Sequence, residues 1–273
     1  VFRYIEDARA ANPDLKIIVA DPRRTESAEI ADLHLPIKPG SDIALFNGML
    51  HVLISEGLVD QAYVAAHTSG FDALADIVKN YSPDTVAAIC GIPADAIVQA
   101  ARWFGASEAS LSLYCQGLNQ SAHGTHNNAG IIHLHLATGQ IGKPGAGPFS
   151  LTGQPNAMGG REVGGLSNLL SAHRDLANPE HRAEVARLWG IPEVPAKPGK
   201  AAVNLFQALK TGEIKAVWIA CTNPVQSLPN QAAVREALQA AEYVVVQETY
   251  GNTDTAAYAD LLLPASGWGE KHG

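Results

Sequence analysis

Two acidic residues stand in equivalent places in this chain, each directly after a run of apolar, mostly β-branched residues. The sequence Ile-Ile-Val-Ala leads into Asp21, and Val-Val-Val-Gln leads into Glu248. In each copy a polar loop and a short alanine-rich stretch follow, and then Ala-Asp, an apolar run and proline complete the pattern, at 31–36 and 259–264. Open α/β sheets bind ligands at the C-terminal ends of their strands. The repetition therefore predicts two similar half-sites, or one large ligand held from both sides.

The residues that follow the first run have the chemistry to bind a nucleotide. Asp21 can accept two hydrogen bonds from a ribose diol or a guanine edge, and the planar groups of Arg23 and Arg24 can bind phosphate. Pro22 favours an extended entry to the turn, and Thr25 ends the motif. A solvated turn that caps a helix explains the same residues equally well.

A second polar segment, Pro39-Gly40-Ser41-Asp42, combines a turn with a carboxylate at a predicted helix start. Capping of that helix by Ser41 and Asp42 explains both side chains. A carboxylate also matches the two N–H donors on the edge of guanine, because it can accept from both at once. Residue types alone leave both interpretations of Asp42 open.

The second copy offers a similar pair of polar loops. Thr222 and Asn223 follow one predicted strand, and Glu248 and Thr249 follow the next. These loops would lie side by side if the two strands are neighbours. Thr222-Asn223-Pro224 is also compatible with a simple turn, but its coincidence with Glu248 favours a ligand site.

A glycine-rich stretch at 139–165 carries almost no charge until its last residues. So long a stretch without periodicity is usually functional or a linker. We place a domain crossing here. The sequence thus predicts two α/β dinucleotide-binding units, 1–146 and 147–273, and the second is expected to be incomplete and to begin with this loop.

Three residues of this loop are candidates for site chemistry. Gly153 allows a ligand to approach the backbone closely, and Gln154 offers an amide donor and acceptor. Arg161 is a single cation that is suited to bind or guide a small anion. A flexible linker is the alternative, although linkers are seldom so poor in serine and charge.

Composition excludes several classes of protein. The net charge of −8 argues against nucleic-acid binding, which requires a basic face. Cys90, Cys115 and Cys221 are far apart, fit a reducing compartment and cannot alone form a four-thiolate site. The apolar runs are too short to span a bilayer. His133 and His135 do not share a helix face, and we predict no histidine-bound metal.

Alternating predicted strands and helices indicate parallel sheets in two Rossmann-like, doubly wound units. Lys16–Ala20 is predicted to be a fully buried parallel strand. Further strands are expected at 110–115, 216–221 and 243–247. Helices are expected at 1–11, 43–55, 60–67, 71–79, 83–90, 93–104, 125–137, 179–188, 202–210 and 231–240. The chain opens without methionine and stops directly after a strand, so we expect an internal piece of a longer protein.

Together these residues resemble the molybdopterin oxidoreductases of the dimethyl-sulfoxide-reductase superfamily. The matching segments are 21–25 (Asp-Pro-Arg-Arg-Thr), 39–42 (Pro-Gly-Ser-Asp), 117–120 (Gly-Leu-Asn-Gln), 138–145 (Thr-Gly-Gln-Ile-Gly-Lys-Pro-Gly) and 259–264 with Glu270-Lys271. They cover nearly the whole chain. Within the superfamily, Thr152–Gly165 is most similar to cytoplasmic assimilatory nitrate reductases, and periplasmic nitrate reductases and formate dehydrogenases come next.

The resemblance implies two molybdopterin guanine dinucleotides around one molybdenum, and a nearby [4Fe–4S] cluster bound by an upstream segment. It implies no metal ligand within this chain. It puts Gln154 near the metal and Arg161 on the path of nitrate. The residues implied to bind the cofactor are Asp21, Pro22, Arg23, Arg24, Thr25, Gly40, Ser41, Asp42, Gly117, Asn119, Gly153, Gln154, Thr222, Asn223, Glu248, Thr249 and Lys271.

The implied activity is reduction of nitrate to nitrite by oxygen-atom transfer, in the cytoplasm, with electrons from a donor protein or domain. This piece alone is expected to be inactive. Formate oxidation on the same scaffold is an alternative, which would require an ionisable histidine beside the arginine; the stretch 154–161 contains none. A non-catalytic relic that keeps the fold is a further hypothesis.

Overall fold

The structure, a computed structural model, describes residues 1–154 and 156–272. The chain divides into two compact units, Val1–Pro155 and Asn156–Gly273. The boundary that the sequence predicts, between residues 146 and 147, precedes this division. The strand that begins at Gly147 pairs within the first unit.

The first unit alternates short parallel strands with helices. Strand β1 pairs with β2, and β3 pairs with β4, in parallel in both cases. The strands are β1 (Ile18–Ala20), β2 (Leu33–Leu35), β3 (Leu111–Tyr114) and β4 (Gly147–Ser150). The helices are α1 (Phe2–Ala11), α2 (Glu26–Glu29), α3 (Asp42–Ser55), α4 (Gln61–His67), α5 (Phe71–Val78), α6 (Pro83–Cys90), α7 (Ala94–Ala106), α8 (Gln116–Asn119) and α9 (Gly124–Ala137).

Helix α3 is central to the core of the first unit. Its Leu45 and Leu53 are almost completely buried, and it packs against α6, α7 and α9. Gly48 permits a close approach of α6, because a Cβ at this position would lie 2.8 Å from Cγ2 of Val86. Ile18 of β1 and Leu33 of β2 pack against the same core. The core therefore holds the first strand pair in place.

Two sequence predictions for the first unit are wrong in detail. The strand predicted at Lys16–Ala20 is not fully buried: β1 is half-buried and Ala20 is exposed. Full burial of a parallel strand requires neighbours on both sides and cover on both faces, and among the described residues only β2 pairs with β1. Between the strand predicted at 110–115 and the helix predicted at 125–137, where we expected no helix or strand, the structure contains the short helix α8.

The second unit contains a parallel three-stranded sheet in the order β5-β6-β7. Helices α12 and α14 pack together beside it, and Leu209 and Leu238 form a core with Ile219, Val244 and Val246 of the strands. The strands are β5 (Ala216–Ala220), β6 (Tyr243–Glu248) and β7 (Leu261–Pro264). The helices are α10 (Ala157–Glu162), α11 (Pro179–Trp189), α12 (Ala202–Lys210), α13 (Pro224–Ser227) and α14 (Gln231–Ala240), with 3-10 turns at Ser171–His173, Ala256–Tyr258 and Trp268–Glu270.

The predicted α/β class with parallel sheets is confirmed in both units. Both copies of the repeated pattern form a parallel strand pair, β1 with β2 and β6 with β7. Within the described residues, no single helix has the length and apolar character needed to cross a membrane; the bent pair α6 and α7 meets the length and composition test jointly.

A buried histidine lies beneath β3 in the first unit. His135 has no exposed surface, its Nε2 lies 2.7 Å from Oγ of Ser112, and its ring meets Phe104 edge-on at 4.9 Å between centroids. Its Nδ1 has no hydrogen-bond partner among the described residues. Burial lowers the pKa of His135 to about 4 because it penalises the charged form.

We predict that His135 makes the first unit acid-sensitive. The folded pKa lies below the unfolded value, so its contribution to stability is complete above about pH 6.5 and is lost as the pH falls towards 4. The free energy of unfolding falls by at most about 3 kcal/mol over this range. His135→Leu should remove this pH dependence in urea unfolding measured from pH 7 to 4.5.

Ser112→Ala is the matched control, because it removes the hydrogen bond and keeps the titrating ring. The prediction is wrong if the leucine variant loses stability with acid as steeply as the parent chain does.

Candidate functional site

The first polar turn lies at the C-terminal edge of the β1–β2 pair. The backbone N–H of Asp21 donates to the carbonyl of Leu35 at 3.2 Å, and its carboxylate Oδ1 accepts from the N–H of Arg23 at 2.7 Å. Nε2 of His34 lies 2.9 Å from the carbonyl oxygen of Asp21. Asp21 thus closes its own turn and is fixed to the neighbouring strand.

The turn itself carries two cationic side chains, those of Arg23 and Arg24. Pro22, Arg23 and Arg24 are exposed, and Thr25 is half-buried. Thr25 precedes α2 without a side-chain cap, and its carbonyl accepts from the N–H of Ala28. Two guanidinium groups beside a carboxylate at a strand end can bind phosphate next to a hydroxyl or N–H donor.

The segment Gly40-Ser41-Asp42 connects β2 to α3. Gly40 is exposed, has a φ of +82° and has open space where a Cβ would lie. The hydroxyl of Ser41 donates to the carbonyl of Lys38 at 2.6 Å, and it does not cap α3. Capping of α3 by the Ser41 hydroxyl, one of the interpretations left open by the sequence, is therefore wrong, because the preceding turn uses that hydroxyl.

Asp42 is a half-buried carboxylate at the first residue of α3. Burial raises the pKa of Asp42, and a hydrogen bond from its own backbone N–H opposes this effect. A carboxylate that is partly removed from water gains most from N–H donors that a ligand supplies.

Gly117 and Asn119 lie on α8, directly after β3. The amide of Asn119 donates to Oγ of Ser150 on β4 at 3.0 Å, and its Oδ1 accepts from the amide of Asn128 on α9 at 3.0 Å. Asn119 thus ties α8 to a strand and a helix. It also lines an open cavity of about 300 Å³ together with residues 121–126.

In the second unit, Thr222 and Asn223 follow β5, and Glu248 and Thr249 lie at and beyond the end of β6. The two strands are neighbours, so the expectation that these loops lie side by side is confirmed. Oδ1 of Asn223 accepts from both the hydroxyl and the N–H of Thr255, at 2.5 and 3.2 Å. Its side-chain oxygen therefore shapes the loop.

Thr255 completes this network and is completely buried. Its hydroxyl oxygen also accepts from the N–H of Val225 at 3.2 Å. Thr255 was not among the residues predicted from the sequence. It is one of two threonines in the polar loop at 251–255, 32 positions from Asn223, and the repeated loop was the signal that the sequence offered.

Glu248 and Thr249 occupy the same sheet edge. Oε1 of Glu248 accepts from the N–H of Thr249 at 2.6 Å, and Glu248 lies opposite Pro264 in the ladder. Cγ2 of Thr249 lies 3.7 Å from the position of a Cβ at Gly267. Exposed Lys271 follows the turn that begins there. A carboxylate and a hydroxyl thus lie beside a turn that leads directly to a lysine.

Gln154, expected near the metal, and Arg161, expected on the path of nitrate, lie in different units. Gly153 and Gln154 are exposed residues after β4 in the first unit, and Arg161 is exposed on α10 in the second. Asn156 is the N-cap of helix α10, and its Oδ1 accepts from the N–H of Gly159 at 3.1 Å. Each of these polar side chains is accessible to a small anion.

No described cluster of three or more His, Cys, Asp or Glu residues is arranged to hold a metal ion. Cys90 is buried, Cys115 is half-buried and Cys221 is exposed. The rings of His123 and His126 stack with their centroids 6.3 Å apart. The described part of the chain therefore contains no set of ligands arranged for an iron–sulfur cluster.

Each unit is an α/β unit with polar loops at the C-terminal ends of its parallel strands, which is where open α/β sheets bind ligands. A family model described as molybdopterin oxidoreductase matches residues 2–273. The chain belongs to the molybdopterin oxidoreductase family, which confirms the resemblance seen in its sequence.

Several relatives are nitrate reductases. The chain is 46% identical to a nitrate reductase of Synechocystis, over 100% of this chain and 38% of that protein. It is 36% identical to the assimilatory nitrate reductase catalytic subunit of Bacillus subtilis, over 94% of this chain and 36% of that protein. It is 38% identical to formate dehydrogenase H of Escherichia coli, over 94% of this chain and 36% of that protein.

The fold is shared with a solved structure, acetylene hydratase from Pelobacter acetylenicus. The TM-score is 0.69 at 26% identity, over 97% of this chain and 39% of the other. The chain thus spans less than half the length of each of these proteins.

We predict that Thr255→Val destabilises the second unit by about 1–2 kcal/mol, because it removes bonds to two buried or half-buried partners. Urea unfolding at pH 7 measures this loss. Thr222→Val is the control, since Thr222 is exposed. Equal stabilities of the two variants would contradict a structural role for the Asn223–Thr255 network.

Proposed function

We propose that this chain is the part of a molybdenum enzyme that binds two molybdopterin guanine dinucleotides, and that the enzyme reduces nitrate to nitrite. Membership of the molybdopterin oxidoreductase family supports the cofactor class. The similarity to nitrate reductases supports the substrate. The observation that carries the proposal is the repeated strand pair, with an acidic residue at the same edge of a parallel sheet in each unit.

The first unit has groups that fit one guanine dinucleotide. Asp21 and Asp42 are carboxylates able to accept from the ribose hydroxyls and from the N–H groups of guanine. Arg23 and Arg24 are exposed and suit the phosphates. The open space at Gly40 allows a ligand to approach the backbone. We assign Pro22, Thr25 and Ser41 to the turns that carry these groups.

The second unit has a corresponding set. Glu248 supplies the carboxylate, Thr249 a hydroxyl, and Lys271 a cation that follows the adjoining turn. The amide nitrogen of Asn223 donates to Oε1 of Gln226 at 3.3 Å, so it can exchange that weak partner for a ligand. Thr222 is exposed beside it. We assign Gly117, Asn119 and Gly153 to further contacts with the cofactor.

When bound, the molybdenum cofactor supplies the oxygen-atom transfer that converts nitrate to nitrite. The protein's own contribution is to admit and orient the anion. A net charge of −8 opposes the approach of nitrate, and the exposed guanidinium of Arg161 offsets this locally. The amide of Gln154 can donate to a nitrate oxygen. An iron–sulfur cluster, an electron-donor protein and a cytoplasmic location complete the proposal, with the cluster bound outside this chain.

The test is to express the protein with its native flanking coding sequence, measure molybdenum and pterin, and assay nitrate and formate side by side. Nitrate turnover in a molybdenum-loaded protein is the expected result. Formate oxidation without nitrate turnover would favour the second candidate function, formate dehydrogenase. The similarity to formate dehydrogenase H supports that candidate. Absence of molybdenum and pterin would favour a non-catalytic relic.

We predict that Arg161→Ala in that protein raises the KM for nitrate about tenfold and lowers kcat less, because it removes a charge-assisted contact made mainly on binding. Steady-state kinetics at low salt measure this split. Arg187→Ala is the control, since Arg187 is exposed on α11 in the same unit. Unchanged kinetics in the Arg161 variant would exclude Arg161 from the nitrate path.

A further inference from the structure

The aspartate of each Ala-Asp pair makes the same two hydrogen bonds in both copies. The N–H of Asp32 donates to the carbonyl of Ile17 at 2.9 Å, and its carboxylate accepts from the N–H of Ile17 at 2.8 Å. The N–H of Asp260 donates to the carbonyl of Val244 at 2.9 Å, and its carboxylate accepts from the N–H of Val244 at 2.7 Å. Each aspartate thus binds both backbone groups of one residue, which directly precedes β1 in the first copy and lies on β6 in the second.

These contacts occupy the same register position in both strand pairs. The first ladder continues with Ile18 opposite Leu33, and the second with Val245 opposite Leu261. In each copy the acidic residue at the strand end, Asp21 or Glu248, comes four positions after the residue that the aspartate holds. The aspartate therefore sets where that acidic residue lies along the sheet edge.

Both ladders are short, which makes the register sensitive to such a contact. A slip of one residue would turn every side chain of the strand to the opposite face. Only three residue pairs join β1 to β2, and four join β6 to β7. The connection from acidic residue to aspartate is one residue longer in the second copy. The loop therefore differs in length, while the pairing is the same.

The two copies differ in what else the aspartate binds. Nη1 and Nη2 of Arg9 on α1 donate to the carboxylate of Asp32 at 2.6 and 2.7 Å. Arg9 also donates to the carbonyl of Leu15 at 2.8 Å. For Asp260, the backbone N–H of Val244 is the side-chain partner among the described residues.

We propose that Asp32 and Asp260 are equivalent positioning residues. Each fixes the register of its parallel strand pair, and so holds Asp21 or Glu248 where a guanine nucleotide binds. This inference rests on the proposed function, since that function assigns nucleotide binding to the two acidic residues.

The test compares Asp32→Ala and Asp260→Ala in the full chain, with GMP as the probe. Hydrogen exchange should rise about tenfold in the strand pair that carries the substitution, because one backbone bond is lost there. Calorimetric titration should show two equivalents of GMP bound to the parent chain and one to each variant.

Two further variants separate positioning from a general loss of stability. Asp260→Asn keeps an oxygen that can accept from Val244, so it should restore both slow exchange and the second equivalent of GMP. Asp76→Ala removes an exposed acidic residue that pairs with Lys79, and it should change neither measurement. If one alanine variant does not fold, the comparison is made with Asp260→Asn and with the alanine variant of the other copy.

Exchange that stays slow in both alanine variants overturns the register contact. Faster exchange with GMP binding unchanged overturns positioning and leaves a purely structural role. If the parent chain binds no GMP, the proposed nucleotide role fails and positioning fails with it, whereas the exchange rates still decide the register contact on their own.

Discussion

Parallel pairing of two short strands is the interaction on which the rest of this structure depends. Because both strands run in the same direction, their C-terminal ends and the loops that follow them meet at one edge. This pairing places Asp21 at the C-terminal edge of the first strand pair, and Glu248 and Thr249 beside Asn223 in the second unit. The helices pack against the apolar faces of the strands. The polar loops at the C-terminal edge remain accessible to a ligand.

Two helices of the second unit, α12 and α14, could be predicted closely from the sequence. Residues 202–210 and 231–240 form α12 and α14 as expected, because apolar periodicity identifies them and Asn230 caps the second. Strand β4 was missed, since glycine and proline at its start disfavour a strand. The burial of β1 was overestimated because burial depends on which neighbours cover a strand, and an apolar run does not contain that information.

The candidate site was predicted by residue type, and the structure adds what those residues bind within the protein. Ser41 and Asn223 use side-chain atoms to shape their turns, which a motif cannot distinguish from ligand binding. Thr255 could not be found at all, because its importance comes from complete burial and from a contact distant in sequence. The repeated Ala-Asp pair was visible as a pattern, but its meaning required the hydrogen bonds of Asp32 and Asp260.

The central claim is that each of the two strand-end sites binds the guanosine end of one dinucleotide. It is tested most directly by the ratio of GMP to molybdenum, measured after acid hydrolysis of the protein purified with its native flanking sequence. We expect two GMP for each molybdenum. A molybdenum-loaded protein that releases one GMP or none would contradict it.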